Sequence, residues 1–223
     1  MTEAFYITRF LPVSSPELRA VTKFGGQPLW MAETDWPVSM ATGKPLRFIG
    51  QVDLDTPPFE LGRMAYLFVE IYDAELDKYF EDNWKVILQE KTGTGLMSPQ
   101  GPMASETEWL IEGYATQEPD WSEMEAQGNE LFKKTHKRDW GKYRDFVAKY
   151  DVPKIGGTPS TPGEIYGLKE PLSQWRLMLQ LQEREENGKA SDLPFYMDYG
   201  DGGIGWSLLS NDHQAVHFSW TSG

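Results

Sequence analysis

Lys23-Phe24-Gly25-Gly26-Gln27-Pro28 returns later in the chain as Lys154-Ile155-Gly156-Gly157-Thr158-Pro159. Four of the six positions are identical, and a fifth exchanges one large apolar residue for another. The segments after the two copies are also alike. The first copy leads through a Pro-rich loop to Leu46-Arg47-Phe48-Ile49-Gly50-Gln51-Val52-Asp53-Leu54, the second to Trp175-Arg176-Leu177-Met178-Leu179-Gln180-Leu181-Gln182. Each run sets a Gln inside an apolar, strand-like segment, 26 residues after the first motif glycine in one copy and 24 in the other. A further apolar block comes after each: Met64-Ala65-Tyr66-Leu67-Phe68-Val69-Glu70-Ile71 and Ile204-Gly205-Trp206-Ser207-Leu208-Leu209. A pattern that recurs in order reads as an internal duplication, here spanning residues 20–73 and 151–212 of one domain, 1–223.

The paired glycines carry the motif because they admit positive φ and the close approach of a neighbouring group. A phosphate-cradling loop would need them to open a helix with a GxxxxGK[ST] spacing. Pro28 and Trp30 come next instead. Gly25, Gly26, Pro28 and Gln51, with Gly156, Gly157, Pro159 and Gln180, are therefore expected to be structural residues.

The composition narrows the functional classes. With 34 acidic against 21 basic residues the net charge is −13, the opposite of a nucleic-acid footprint. The acidity fits either solubility alone or a cationic or basic partner. The absence of cysteine removes disulfides, thiol nucleophiles and thiolate zinc sites. No stretch approaches the roughly 20 apolar residues of a membrane span, and Met1-Thr2-Glu3-Ala4-Phe5-Tyr6 does not read as a signal peptide. No cofactor is expected.

Alternation and β-branched or aromatic content predict strands at 4–11, 46–54, 64–72, 84–89, 108–115, 175–182, 195–199, 204–210 and 215–221. In the 64–72 run both faces are largely apolar, as in a strand inside a sheet. Ser14-Ser15-Pro16-Glu17-Leu18 has the caps of a short helix. Residues 118–150 form the helical region, which Gly128 is expected to weaken or interrupt, with Trp140, Tyr143, Phe146, Val147 and Tyr150 as an apolar stripe. The basic cluster Lys133 to Arg138 reads as a solvated helix end. Trp36-Pro37 reads as a plug at a core edge, and Asp35 beside it is placed to belong to a pocket.

Catalytic patterns are weak. His213 and His217 lie on a strand-like run, where a four-residue separation spans about 13 Å, too far for one ion. Asp53 and Asp55 would share a strand face roughly 7 Å apart and are the nearest approach to a glycosidase-type carboxylate pair. Asp198 and Asp201 lack the alternate oxygen pattern of a calcium loop. Ser207 and Ser210 lack a nucleophile elbow, and Gly202-Gly203-Ile204-Gly205 is followed by an aromatic strand rather than a dinucleotide-binding helix.

Lys23 to Pro28, Trp36-Pro37, Pro45-Leu46, the run Phe48 to Leu54, the second motif Lys154 to Pro159, Leu179-Gln180-Leu181, Gly202 to Gly205 and Phe218-Ser219-Trp220 together resemble the YwqG-like family of bacterial proteins, a domain of unknown function. The resemblance covers residues 20–220 apart from 74–150. It implies a cytoplasmic setting and a mostly β fold with duplicated sheet units. It supplies no catalytic residues. Members near polymorphic toxin systems suggest an immunity or protein-binding role. The programmed-cell-death-two-like group shares the Gly-Gly-x-Pro start and acts as a protein-binding chaperone. It carries zinc-binding cysteines that this chain lacks.

The expected fold is α+β and predominantly β, with internally duplicated antiparallel or mixed sheets and helices, at 118–150, inserted between the two repeats. The expected function is binding of a protein partner, a basic toxin domain, through acidic loops that present Asp77, Glu81, Asp82, Glu183, Glu185 and Glu186. The alternatives are a hydrolase with a carboxylate pair and a structural or regulatory subunit of an assembly.

Overall fold

The computed structural model describes residues 1–40, 42–70, 84–92, 94–134, 140–160, 168, 171–182, 193–194 and 203–221. Among them the elements follow in the order β1 (Thr2–Pro12), β2 (Lys23–Phe24), β3 (Arg47–Asp53), β4 (Arg63–Val69), β5 (Trp84–Glu90), β6 (Trp109–Glu118), α1 (Trp121–Lys134), α2 (Trp140–Val147), β7 (Lys154–Gly156), a 3-10 turn (Leu172–Gln174), β8 (Trp175–Gln182), β9 (Ile204–Ser210) and β10 (Val216–Thr221).

This is a β fold, and the expected α+β arrangement, with helices inserted between two sheet repeats, does not hold. The strands follow one hydrogen-bonded order, β10-β9-β8-β7-β1-β6-β2-β3-β4-β5. Every ladder with a described register is antiparallel, so the mixed alternative falls too. In that order the strands flanked by β7 and β2 are β1 and β6, not helices. The physical reason is that β1 and β6 are long, at 11 and 10 residues, and each offers backbone to two neighbours. The helices instead pack on each other, and α1 also packs on the 3-10 turn.

The chain divides into two compact units. Of the described residues, Met1–Thr8 and those within Gly113–Gln182 and Tyr199–Gly223 belong to the first, and those within Arg9–Glu112 and Glu183–Asp198 to the second.

In the second unit β3 lies between β2 and β4, and β4 between β3 and β5. The buried centre of β4 follows from this place: Met64, Ala65, Tyr66, Leu67 and Phe68 are all buried, as its two apolar faces predict. Leu29, Trp30, Met31, Leu46, Phe48, Met64, Tyr66 and Phe68 form the core. Trp30 stacks on Phe68 with ring centres 5.7 Å apart, and Trp36 meets both edge-on.

In the first unit β8 lies between β7 and β9, and β9 between β8 and β10. Leu177, Ile204, Trp206 and Leu208 make its core, with Leu168, Leu172 and Trp175 packed against them. Both β3 and β8 carry a register shift, between Phe48 and Gly50 and between Leu177 and Leu179.

Two local expectations need correction. Ser14–Leu18 forms no helix; the Glu17 amide donates to the Glu108 carboxylate rather than to a helical ladder. The helix is not interrupted at Gly128, since α1 runs through it to Lys134; a single helical glycine costs only about 1 kcal/mol against alanine. The motif starts, Lys23–Phe24 and Lys154–Gly156, are short strands. The strand expected at 195–199 lies outside the described residues.

Candidate functional site

The motif residues form a similar centre in each unit. Lys23 pairs with Gln51 across β2 and β3, and Lys154 with Gln180 across β7 and β8. The glycines then turn the chain with φ of +65° and +59° at Gly25 and Gly26, and +71° and +77° at Gly156 and Gly157, a region L side chains avoid. A Cβ on Gly26 would overlap the Glu108 carboxylate, and one on Gly157 the Glu118 carboxylate. The chain that leaves each turn is caught by the buried Gln. Gln51 Oε1 accepts the Leu29 amide at 2.9 Å while its Nε2 donates to the Val21 carbonyl. Gln180 Oε1 accepts the Ser160 amide at 3.1 Å and the Trp206 indole at 3.0 Å, and its Nε2 donates to the Tyr150 and Val152 carbonyls. Pro28 and Pro159 lie in the segments that lead from the glycines to these amides.

Each motif lysine is wholly buried and ion-paired. Lys23 Nζ donates to Glu108 at 2.7 Å, and Lys154 Nζ to Glu118 at 2.7 Å. Glu118 also accepts the Tyr6 hydroxyl and the Thr158 amide, both at 2.6 Å, and Lys154 reaches the Thr158 carbonyl at 2.6 Å. Burial pushes the Lys154 ammonium down against the upward pull of Glu118. Burial, then the hydrogen bond to Glu118, push the Tyr6 hydroxyl up. A Lys–Glu–Tyr group can serve acid–base chemistry. Here both Glu118 oxygens and the Lys154 ammonium are already engaged, so the group acts as a fastening. Glu108 and Glu118 carry no mark in the sequence, because neither belongs to the repeated motif.

The second unit also holds a cleft of about 650 Å³, lined by Glu33, Thr34, Asp35, Leu96, Met97, Ser98 and Pro99. Its two walls are tied together from the motif. Trp30 and Leu96 exchange both backbone hydrogen bonds, at 2.9 and 2.7 Å, and the Trp30 indole donates to the Pro99 carbonyl. Gln27 pairs its amide with the backbone of Gly101 in both directions. Gln89 on β5 accepts the Met31 and Ala32 amides and donates to the Ala32 carbonyl. Beside this, the Trp36 ring lies so close to Gly101 that no Cβ would fit there, and its indole donates to the Leu46 carbonyl. Trp36 thus plugs the core, and Asp35 is left on the cleft wall. Glu33 and Asp35 are exposed and have no hydrogen-bond or ion-pair partner among the described residues.

The other candidates come out differently. Lys91 Nζ lies 2.7 Å from Asp53 and 3.6 Å from Asp55, so an ammonium clamps the carboxylate pair that hydrolysis would have used. Asp53 also accepts the Asp55 amide at 3.0 Å. His217 is on β10 and His213 in the turn before it. Among the described residues no three His, Asp or Glu side chains converge as a ligand set. Asp77, Glu81, Asp82, Glu183, Glu185 and Glu186 lie outside the described residues. Also among those described, no helix is long and apolar enough to cross a membrane.

No curated protein matches this chain. Residues 22–221, which take in both motifs and the cleft, match the profile of a family described as a domain of unknown function (DUF1963), and the chain belongs to that family.

Proposed function

We propose that this protein is an acidic binding domain that captures a basic segment of a protein partner, and that the cleft between Glu33–Asp35 and Leu96–Pro99 takes the basic side chain. The observation that carries the reading is the cleft itself: two exposed carboxylates without a cationic partner among the described residues, beside Leu96 and Met97, in a volume of about 650 Å³. Ligand sites are commonly apolar concavities of this size with a few convergent polar groups. An Arg or Lys entering it would set its stem on the apolar wall and its charge against the acids. The net charge of −13 would draw a basic partner in and speed its encounter.

The finer reading extends the family membership. We place the chain in the YwqG-like group and infer a cytoplasmic immunity protein that neutralises a basic toxin effector. The doubled Gly-Gly-x-Pro motif supports the grouping, and the acidity supports the basic target.

An array of short synthetic peptides graded from acidic to basic tests the binding reading. Basic peptides should be retained, and Glu33→Gln with Asp35→Asn should weaken them about 2- to 30-fold, two exposed ion pairs at roughly 0.2–1 kcal/mol each. Glu106→Gln with Glu125→Gln removes the same charge from exposed positions elsewhere. An equal loss in both double variants would reduce the effect to bulk charge and sink the proposal.

A further inference from the structure

Beyond the cleft, the same loop carries a hydrophobic projection. Val38 and Pro45 form an antiparallel bridge, the Ser39 amide donates to the Lys44 carbonyl at 2.8 Å, and the Leu46 amide to the Pro37 carbonyl at 2.9 Å. The Gly43 amide closes the turn onto the Ser39 carbonyl, and the Thr42 hydroxyl fastens it to Glu70 at 2.7 Å. Residues 37–40 and 42–46 are therefore hydrogen-bonded to each other rather than slack. On this segment Met40 is 94% exposed and Val38 is 52% exposed. Leu96, on the cleft wall, is 39% exposed. A single exposed apolar side chain is ordinary. Here a built scaffold holds two of them out, within five residues of Asp35, so that the Met40 Cα lies at most about 18 Å from the Asp35 Cα by chain length.

We propose that Val38 and Met40 form a second recognition subsite, which reads a large apolar side chain in the partner next to the basic one that the cleft takes. The inference rests on the binding reading above and specifies its partner: a segment with Arg or Lys and a large apolar residue within about five positions of each other in extended chain. Charge complementarity selects this occupant. Glu33, Asp35 and the net charge of −13 repel an anionic membrane and a second copy of this chain alike. The Ser39 and Gly43 hydrogen bonds hold the backbone beside Met40, so the freedom lost on contact is that of its side chain. Methionine suits the role, because its flexible thioether packs against apolar surfaces of varied shape.

The test uses two sets of synthetic peptides, one with basic residues in a Gly-Ser background and one with a Phe added at successive distances from the basic residue. Fluorescence anisotropy gives the affinities. At the best spacing the Phe should tighten binding about tenfold, which corresponds to burying some 55 Å² of apolar surface at roughly 25 cal/mol per Å². Met40→Ser and Val38→Ser should erase this increment while leaving the basic-only peptides and the melting temperature unchanged. If the increment survives in Met40→Ser, or is absent in the wild type while basic peptides still bind, the subsite is refuted and the cleft stands. If basic-only peptides fail to bind but Phe peptides bind in a Met40-dependent way, the cleft reading fails and the paired subsite is overturned with it, leaving a simple apolar contact at Met40. If no peptide binds, both fail. Met40-dependent binding to phosphatidylcholine vesicles, or Met40-dependent self-association in sedimentation, without a peptide increment, would overturn the proposal in favour of lipid or a second copy.

Discussion

Replacing Lys154 by Met tests the claim that the first residue of the motif is a buried fastening. The substitution keeps the apolar stem and removes the ammonium. Glu118, which is 0% exposed, would be left with only the Tyr6 hydroxyl and the Thr158 amide as donors. Breaking a buried pair by removing one partner costs about 3–5 kcal/mol, because an uncompensated charge stays behind. That is a large share of the roughly 5–15 kcal/mol by which domains are stable. Urea unfolding followed by tryptophan fluorescence should show the midpoint fall by about 2 M, for a slope near 2 kcal/mol per M. Lys154→Met combined with Glu118→Gln removes the stranded carboxylate and should regain about 0.5–3 kcal/mol, the usual size of coupling between contacting residues. A midpoint shift below about 0.5 M in the single variant, or a double variant no more stable than the single, would refute the reasoning.

Gly157→Ala combines a φ of +77° with overlap of the Glu118 carboxylate, whereas Gly43→Ala meets a φ of +67° in open space. The second should cost about 1–2 kcal/mol and the first clearly more; equal losses by the same urea titration would remove the cradle from the account. Gln180→Leu strands two buried donors, the Ser160 amide and the Trp206 indole, where Gln51→Leu strands one, the Leu29 amide. At about 1–3 kcal/mol per orphaned group, Gln180→Leu should be the more damaging, and the reverse order would contradict the bonding described. The Arg19 hydrogen bond holds the Glu17 carboxyl down at about 2, against an ordinary 4.5. Because the folded value is lowered, its stabilisation is complete above pH 4.5 and is lost as pH falls toward 2. Melting temperatures over this range should fall less steeply in Arg19→Gln, and identical slopes would show the pair to be immaterial.

Much of the strand content was legible, because a strand with one or two buried faces writes its environment into a period of two. The runs at 46–54, 64–72 and 175–182 became β3, β4 and β8 with small shifts at their ends. The need for glycine at Gly25, Gly26, Gly156 and Gly157 was legible for the same kind of reason, since only a local backbone constraint asks for two adjacent residues without Cβ. Asp35 could be suspected of lining a pocket from its place beside a Trp-Pro plug. The Lys–Glu fastenings could not be read. Lys23 and Glu108 are 85 residues apart and Lys154 and Glu118 are 36 apart, and in so acidic a chain no carboxylate announces its partner.

Within the stretch 118–150 the helices Trp121–Lys134 and Trp140–Val147 were foreseen, but the role of that stretch in the architecture was misjudged. Periodicity says that a helix has an apolar face; it does not say what covers that face. The sequence by itself determined where the chain turns, which segments extend and that the surface is acidic, since these follow from local backbone freedom, side-chain alternation and composition. Only the tertiary structure decided that β1 and β6 join the strand order, that Glu108 and Glu118 close the motif centres, and that Glu33 and Asp35 face Leu96–Pro99. Those are pairings between distant segments, chosen by burial and hydrogen-bond satisfaction across the whole chain, and no short stretch records them.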